Sequence, residues 1–368
     1  MTTPVQIAAT DLAWQQLDMG LVREGFAREA ERGISHLLIA PPWHLLQPSA
    51  RQIDRVLMAH LEQLFDAAQA VKLQVIPALL SVRRNGMLML PDWHNGPDAI
   101  GWLTGRTRQP VRTTGTLALI NDRVQPLNLA DPYATESWRT AQLLLLRTVI
   151  GYFDGHAAVS HWHIGDGWSR LADTTEHHAE AWIQAVHTTI RRVAPVTPLM
   201  TTVDGPNLLG HTLTVERLAR FFDVLLVDCA MPEIPQRSAL RLSTPATVLI
   251  ALVAGLGQRP VVAQLAPLVA DGTRHWEQIV WHQQQLTIAH LPAEDVERYY
   301  ETVIGVLRQN GAAGVVYPVS AAATGHNRHT QMQHIPNWDT VAPQTETIDA
   351  ERFRHNPLRA FAQLWRDV

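Results

Sequence analysis

Short apolar runs alternate with longer amphipathic segments along most of this chain. Eight runs read as strands: Val5–Thr10, His36–Pro41, Gln74–Leu80, Val159–Gly165, Pro198–Val203, Val224–Cys229, Pro260–Leu265 and Gly314–Val319. Near-continuous apolar runs of this length suit strands buried on both faces, as in parallel sheets. The segment after the second run predicts the clearest helix. There Ile53, Val56, Leu57, His60, Leu61, Leu64, Phe65 and Ala68 fall on one face at helical spacing. Further helices are predicted near Leu21–Arg32, Thr135–Tyr152, Thr175–Val193, Val215–Phe222, Ala246–Leu256 and Ala293–Gln309, and one near Pro357–Trp365 would close the ring. Eight strands with helices between them predict a (β/α)8 barrel over 1–368 as a single domain. A doubly wound open sheet is the alternative. No Gly-rich dinucleotide or phosphate-loop fingerprint follows an early strand, which argues against it. Two long irregular connections stand out, Asn95–Pro132 after the third strand and Gly325–Thr347 after the last. On a barrel both would lie over the face where catalytic groups gather.

Composition agrees with a large core. The 368 residues are 46% hydrophobic and 17% charged, against a usual charged share of about 25%. Net charge is −4 with His neutral. No basic run forms a nucleic-acid footprint, so no nucleic-acid partner is expected. Cys229 is the only cysteine, which rules out an intramolecular disulfide and reads as a small buried hydrophobe. The segment Met1–Ile7 lacks the charged and apolar regions of a signal peptide. No stretch reaches the roughly 18 apolar residues of a spanning helix. A soluble, cytoplasmic protein without membrane association is the expectation.

Candidate chemistry concentrates at predicted strand ends. The run His161-Trp162-His163-Ile164-Gly165-Asp166-Gly167-Trp168 reads as a buried strand ending in an acid bracketed by glycines. Asp166, Asp204 and Asp228 lie near the ends of the fourth, fifth and sixth strands, and Asp271 follows the seventh. Such positions are where barrels place catalytic groups. Asp also caps helices and bonds loop amides, which is the plainer reading, and Glu233 reads best as a solvated loop acid. His161 and His163 share a strand face, and His326, His329 and His334 cluster late in the chain. Their spacing forms no metal motif, and zinc would want about three converging ligands. No metal and no cofactor are expected. The chain has 12 Trp. Trp43, Trp93, Trp102, Trp162, Trp168 and Trp338 fall near strand ends and facing loops. They could stack on sugar rings or simply pack the barrel mouth; for Trp162 packing is the preferred reading.

Several pieces, in order, resemble one group, the cellulase-like and mannanase-like retaining glycoside hydrolases with their β-galactosidase-like and β-mannosidase-like relatives. Gly33–Trp43 with Gln47-Pro48 resembles their second strand, and Gln74–Leu80 with Leu90–Trp93 their third strand and following loop. Gly155–Trp168 resembles the approach to and end of the fourth, Gly205–Leu208 the segment that follows the fifth in some members, Arg259–Gln264 the seventh and Gly311–Tyr317 the eighth. The resemblance spans most of the chain. Its active residues are replaced: an Arg falls at Leu38, the Asn at Asp166, the acid/base Glu at Gly167, a His-x-Tyr pair at Asp228 and Ala230, the nucleophilic Glu at Gln264 and the floor Trp at Tyr317.

The resemblance implies a barrel without the family's chemistry. Retaining hydrolysis uses two carboxyl groups about 5–5.5 Å apart. Gly167 has no side chain, and the Gln264 amide is no carboxylate nucleophile. The expectation is a pseudo-glycosidase that keeps a carbohydrate- or ligand-binding face. Trp43, His163, Asp166, Trp168, Asp204, Asp228, Gln264 and Tyr317 are its candidate contacts. An active hydrolase with displaced acids such as Asp166 and Asp228 is one alternative. A protein-interaction scaffold is the other.

Overall fold

The computed structural model describes residues 5–10, 12, 14, 17–84, 87–91, 93, 117–120, 123–126, 131, 133–168, 174–203, 213–228, 250, 253–265, 268–270, 275–281 and 284–320. Eight strands close into a barrel. They are β1 (Val5–Thr10), β2 (His36–Ile39), β3 (Gln74–Ser81), β4 (Trp162–Asp166), β5 (Leu199–Val203), β6 (Val224–Asp228), β7 (Val261–Gln264) and β8 (Gly314–Ser320). Each pairs in parallel with its sequence neighbours, and β8 pairs with β1. The fold is the expected (β/α)8 barrel.

The connecting helices are α1 (Met19–Glu31), α2 (Arg55–Ala70), α3 (Glu136–Phe153), α4 (Glu176–Val193), α5 (Val215–Phe221) and α6 (Ala293–Gln309), with a further helical stretch at 253–257. Local signals start them. Asp54 accepts from the Leu57 amide at 2.8 Å and Thr175 from the His178 amide at 3.3 Å, each satisfying an orphan N–H of a first turn. Helix α2 buries Leu57, Leu61, Leu64, Phe65 and Ala68, as its periodicity predicts. Val56 is the exception at 65% exposed, although its neighbour Leu57 in the same turn is buried.

Strand alternation divides the core in two. Ile7, Ile76, Met200, Val224, Leu226, Val262 and Val316 fill the barrel interior, with Ala9 and Leu38 against them. Their alternate neighbours, such as Leu37, Val75, Leu225 and Val315, join the helix layer. The period of 2 therefore assigns each strand residue to the pore or to the wall.

Three expectations are corrected. The fourth strand starts at Trp162 and runs through Asp166; Val159 makes only an isolated bridge to Val75. The long connection after β3 is not irregular throughout. Leu117–Ile120 and Arg123–Pro126 form an antiparallel hairpin, and the first of these pairs with Met87–Leu90. A second sheet after β7, built from Leu268–Ala270, His275–Trp281 and Gln284–Leu291, was not foreseen. Glu277, Gln278, Gln284, Gln285 and Thr287 break up its apolar pattern. Both insertions leave the C-terminal ends of barrel strands. The expected helix at 357–365 and the connection at 325–347 lie outside the described residues.

Candidate functional site

The C-terminal mouth of the barrel gathers the polar candidates. On β6, Val224 and Leu226 face the pore, so Asp228 follows them there; on β7, Gln264 follows Val262 in the same way. Asp228 and Gln264 are register partners on adjacent strands. Their backbones are thus about one strand spacing apart, roughly 4.8 Å. Both side chains are half-buried.

Asp166 ends β4, in register with Ser81 at the end of β3, and the Ser81 hydroxyl donates to its carboxylate at 3.5 Å. Gly165 and Gly167 on either side take φ of +77° and +76°. This is the left-handed region that glycine enters without steric cost. A Cβ on Gly165 would stand 3.2 Å from Cδ1 of Trp168. The glycines bracketing the acid are therefore a geometric requirement. Leu80, on the facing strand, is also left-handed at φ +54°.

His163 sits below the mouth, in register with Ala78 and Met200. It is fully buried, and its Nε2 lies 2.9 Å from the Thr202 hydroxyl. Burial pulls its pKa down to about 4, so it is a neutral imidazole at pH 7. At the opposite end of the pore, His36 and His161 approach edge to face with centroids 6.3 Å apart. Each Nδ1 meets the hydroxyl of the preceding serine, Ser35 at 2.8 Å and Ser160 at 3.1 Å. Burial, aided by mutual repulsion, lowers His36 to about 4; burial also lowers His161, against the pull of Asp223.

The tryptophans turn away from the mouth. Trp168 is 4% exposed and stacks on Trp182 of α4 at 4.7 Å, with Trp43 6.0 Å away and Tyr133 edge-on at 5.7 Å. Their N–H groups are satisfied internally. Trp168 donates to Leu80 O at 2.6 Å, Trp43 to Gln47 Oε1 at 2.8 Å, Trp93 to Gln47 O at 2.9 Å and Trp182 to Gln142 Oε1 at 2.8 Å. Tyr317, expected under a sugar, packs instead on Tyr300 of α6 at 6.1 Å, because its strand position alternates with pore-facing Val316. Burial raises its phenol pKa. Trp162 is fully buried in the wall.

The fold thus brings Asp228 beside Gln264 and Asp166 beside Ser81 at one mouth, and directs Trp43, Trp168 and Tyr317 into the wall. Asp204, Asp271, Glu233, Cys229, Ala230, Trp102, Trp338, His326, His329 and His334 lie outside the described residues. Sequence reasoning missed Ser81 and Thr202. Ser81 carried a usable signal, since it ends an apolar strand run just as Asp228 does. Among the described residues, no three His, Cys, Asp or Glu side chains converge as metal ligands, and no helix is long and apolar enough to cross a membrane.

No protein-family model and no curated protein matches this sequence. Solved structures do match its fold. GH5_18 from Streptomyces cattleya, solved in complex with GlcNAc, is 18% identical, with 86% of this chain and 71% of that one covered at a TM-score of 0.66. A variant of the same protein was solved with Manβ1-4GlcNAc and matches equally well, at 0.66. The exo-β-1,4-mannosidase of Opitutaceae bacterium strain TAV5 is 15% identical, with 85% and 51% covered at 0.61. The endo-1,4-β-mannanase of Rhizomucor miehei is 10% identical, with 89% of each chain covered at 0.56. The chain therefore shares the (β/α)8 fold of glycoside hydrolases that act on or bind mannose- and GlcNAc-containing sugars.

Proposed function

We propose that this chain is a carbohydrate-binding barrel that does not hydrolyse its ligand by the two-carboxylate route. The observation that carries the reading is the backbone of Gly167, at φ +76°. The resemblance assigns this position to the acid/base Glu. A residue with a Cβ is strained there, by roughly 1–2 kcal/mol. The missing acid is thus matched by a turn shaped for glycine. At the nucleophile's place Gln264 offers an amide that donates and accepts hydrogen bonds but forms no glycosyl ester. Asp166, Asp228, Gln264 and Ser81 supply acceptors and donors suited to sugar hydroxyls. The GlcNAc and Manβ1-4GlcNAc complexes of fold neighbours suggest mannose- and GlcNAc-containing ligands.

One observation favours the displaced-acid alternative. Asp228 adjoins the nucleophile's place by register, and Asp166 adjoins that of the acid/base. Calorimetric titration with GlcNAc and Manβ1-4GlcNAc, beside a turnover assay on aryl β-mannosides, separates the readings. The binding reading expects saturable binding that falls about tenfold or more in Gln264→Ala, with no turnover. Turnover that disappears in Asp166→Asn would establish the displaced-acid hydrolase. Absence of both binding and turnover would favour a scaffold.

A further inference from the structure

We infer that Trp168 is a positioning residue for Asp166, a strap that fixes the carboxylate from behind the mouth. The inference deepens the carbohydrate-binding reading and rests on it for its functional half. Trp168 follows Asp166 by two residues, and its ring folds back under the turn. Its Cδ1 lies 3.2 Å from where a Gly165 Cβ would stand, so glycine at 165 lets the indole close against the strand. Its Nε1 donates to Leu80 O at 2.6 Å, one residue before Ser81, which bonds Asp166. Its own carbonyl accepts from the Tyr133 hydroxyl at 2.7 Å, and its ring rests on Trp182. One side chain thereby ties the ends of β3 and β4 to the helix layer.

Packing alone does not require this arrangement. A ring that only filled the wall could do so beside ordinary strands. Here Leu80, Gly165 and Gly167 are all left-handed, and all three lie at the ends that Trp168 joins. The glycines enter this region without steric cost, but Leu80 is strained there, and such strain persists where the surroundings over-determine it, gathering at sites that present a group. A small cavity of about 20 Å³, room for one water, adjoins Gly165, Gly167, Trp168, Thr201 and Leu213 behind the turn. Without the strap, the ends of β3 and β4 lose the side-chain tie that keeps Asp166 in line with Ser81.

The test uses the whole chain. Trp168→Phe keeps a ring on Trp182 and removes the bond to Leu80 O. In the ligand-free protein, amide exchange at Gly165–Gly167 should quicken by roughly 2- to 10-fold, the loss of one buried hydrogen bond. Trp93→Phe removes a comparable bond, to Gln47 O, and should leave those amides unchanged. A double-mutant cycle with Asp166→Asn reads the functional half. Trp168→Phe should weaken Manβ1-4GlcNAc binding severalfold in the wild-type background and have no effect in Asp166→Asn. In the unmodified protein the Trp168 indole N–H should be among the slowest to exchange, a readout that needs no variant. Unchanged protection at Gly165–Gly167, an additive cycle or a fast-exchanging Trp168 indole would overturn the strap. If the wild type binds neither GlcNAc nor Manβ1-4GlcNAc, the carbohydrate reading fails, and the exchange data still decide whether Trp168 fixes the turn.

Discussion

At the two positions where the resemblance puts the catalytic glutamates, just past β4 and at the end of β7, the chain carries none, in different ways. On β7, Gln264 occupies an ordinary strand position, in register with Asp228 on one side and Val316 on the other. Its backbone would accept glutamate unchanged. On β4, Gly167 lies in a left-handed turn held by Trp168 and flanked by a second left-handed glycine. Set against the resemblance, one end differs from the hydrolase pattern by a side chain. The other differs by its backbone, and a single substitution does not reverse a backbone.

The comparison breaks most readily at the strap. Trp168→Ala should destabilise the fold by about 3–5 kcal/mol, since it empties a buried indole site and strands the Leu80 carbonyl; chemical denaturation measures this. A cost near zero would mean that the β4 end is as plain as the β7 end.

The second largest effect comes from the pore below both ends. His163 is held near pKa 4 when folded, against about 6.5 when unfolded. The folded state therefore binds fewer protons below pH 6.5. The stability tied to the neutral imidazole is fully present above that value and is lost as pH falls toward 4. His36 contributes in the same direction, and so does His161, whose pKa is also lowered. For His163 alone the loss is of the order of 3 kcal/mol at pH 4. Melting curves from pH 7 to pH 4 should show the fall, and His163→Gln should flatten it. A fall unaltered by that substitution would place the acid sensitivity elsewhere.

Gly167→Ala should cost about 1–2 kcal/mol through φ alone. Gln264→Glu keeps its strand backbone, so its cost at pH 7 should be at most about 1 kcal/mol, come from the second carboxylate beside Asp228, and shrink in high salt. Equal costs at the two positions, read by denaturant titration, would erase the distinction between them.

Much of this contrast was open to reading in the residue order. The run Gly165-Asp166-Gly167 reads as an acid bracketed by glycines at a strand end, and the left-handed backbone there came with the structure. Gln264 at the end of Arg259–Gln264 already announced an amide where a hydrolase would carry a nucleophile. Trp43, Trp168 and Tyr317 were harder. Nothing in a linear string tells an indole that lines a cleft from one that seals a wall, because both sit near strand ends beside glycine. At Tyr317 the period of 2 held the answer, once Val316 was placed in the pore. The sheet at Leu268–Leu291 stayed hidden because its polar residues break the near-continuous apolar runs that mark barrel strands.

The sequence by itself determined the number and order of the barrel units, since burial on both faces of a parallel strand writes long apolar runs and burial on one face of a helix writes a 3.6-residue period. It also determined that Gly167 and Gln264 carry no carboxylate, since composition alone decides that. Only the tertiary structure decided which polar groups meet. Asp228 adjoins Gln264 because parallel pairing sets their register, and Asp166 adjoins Ser81 because β3 and β4, distant in the chain, end side by side. Register is a property of closed rings of strands, and no single strand contains it.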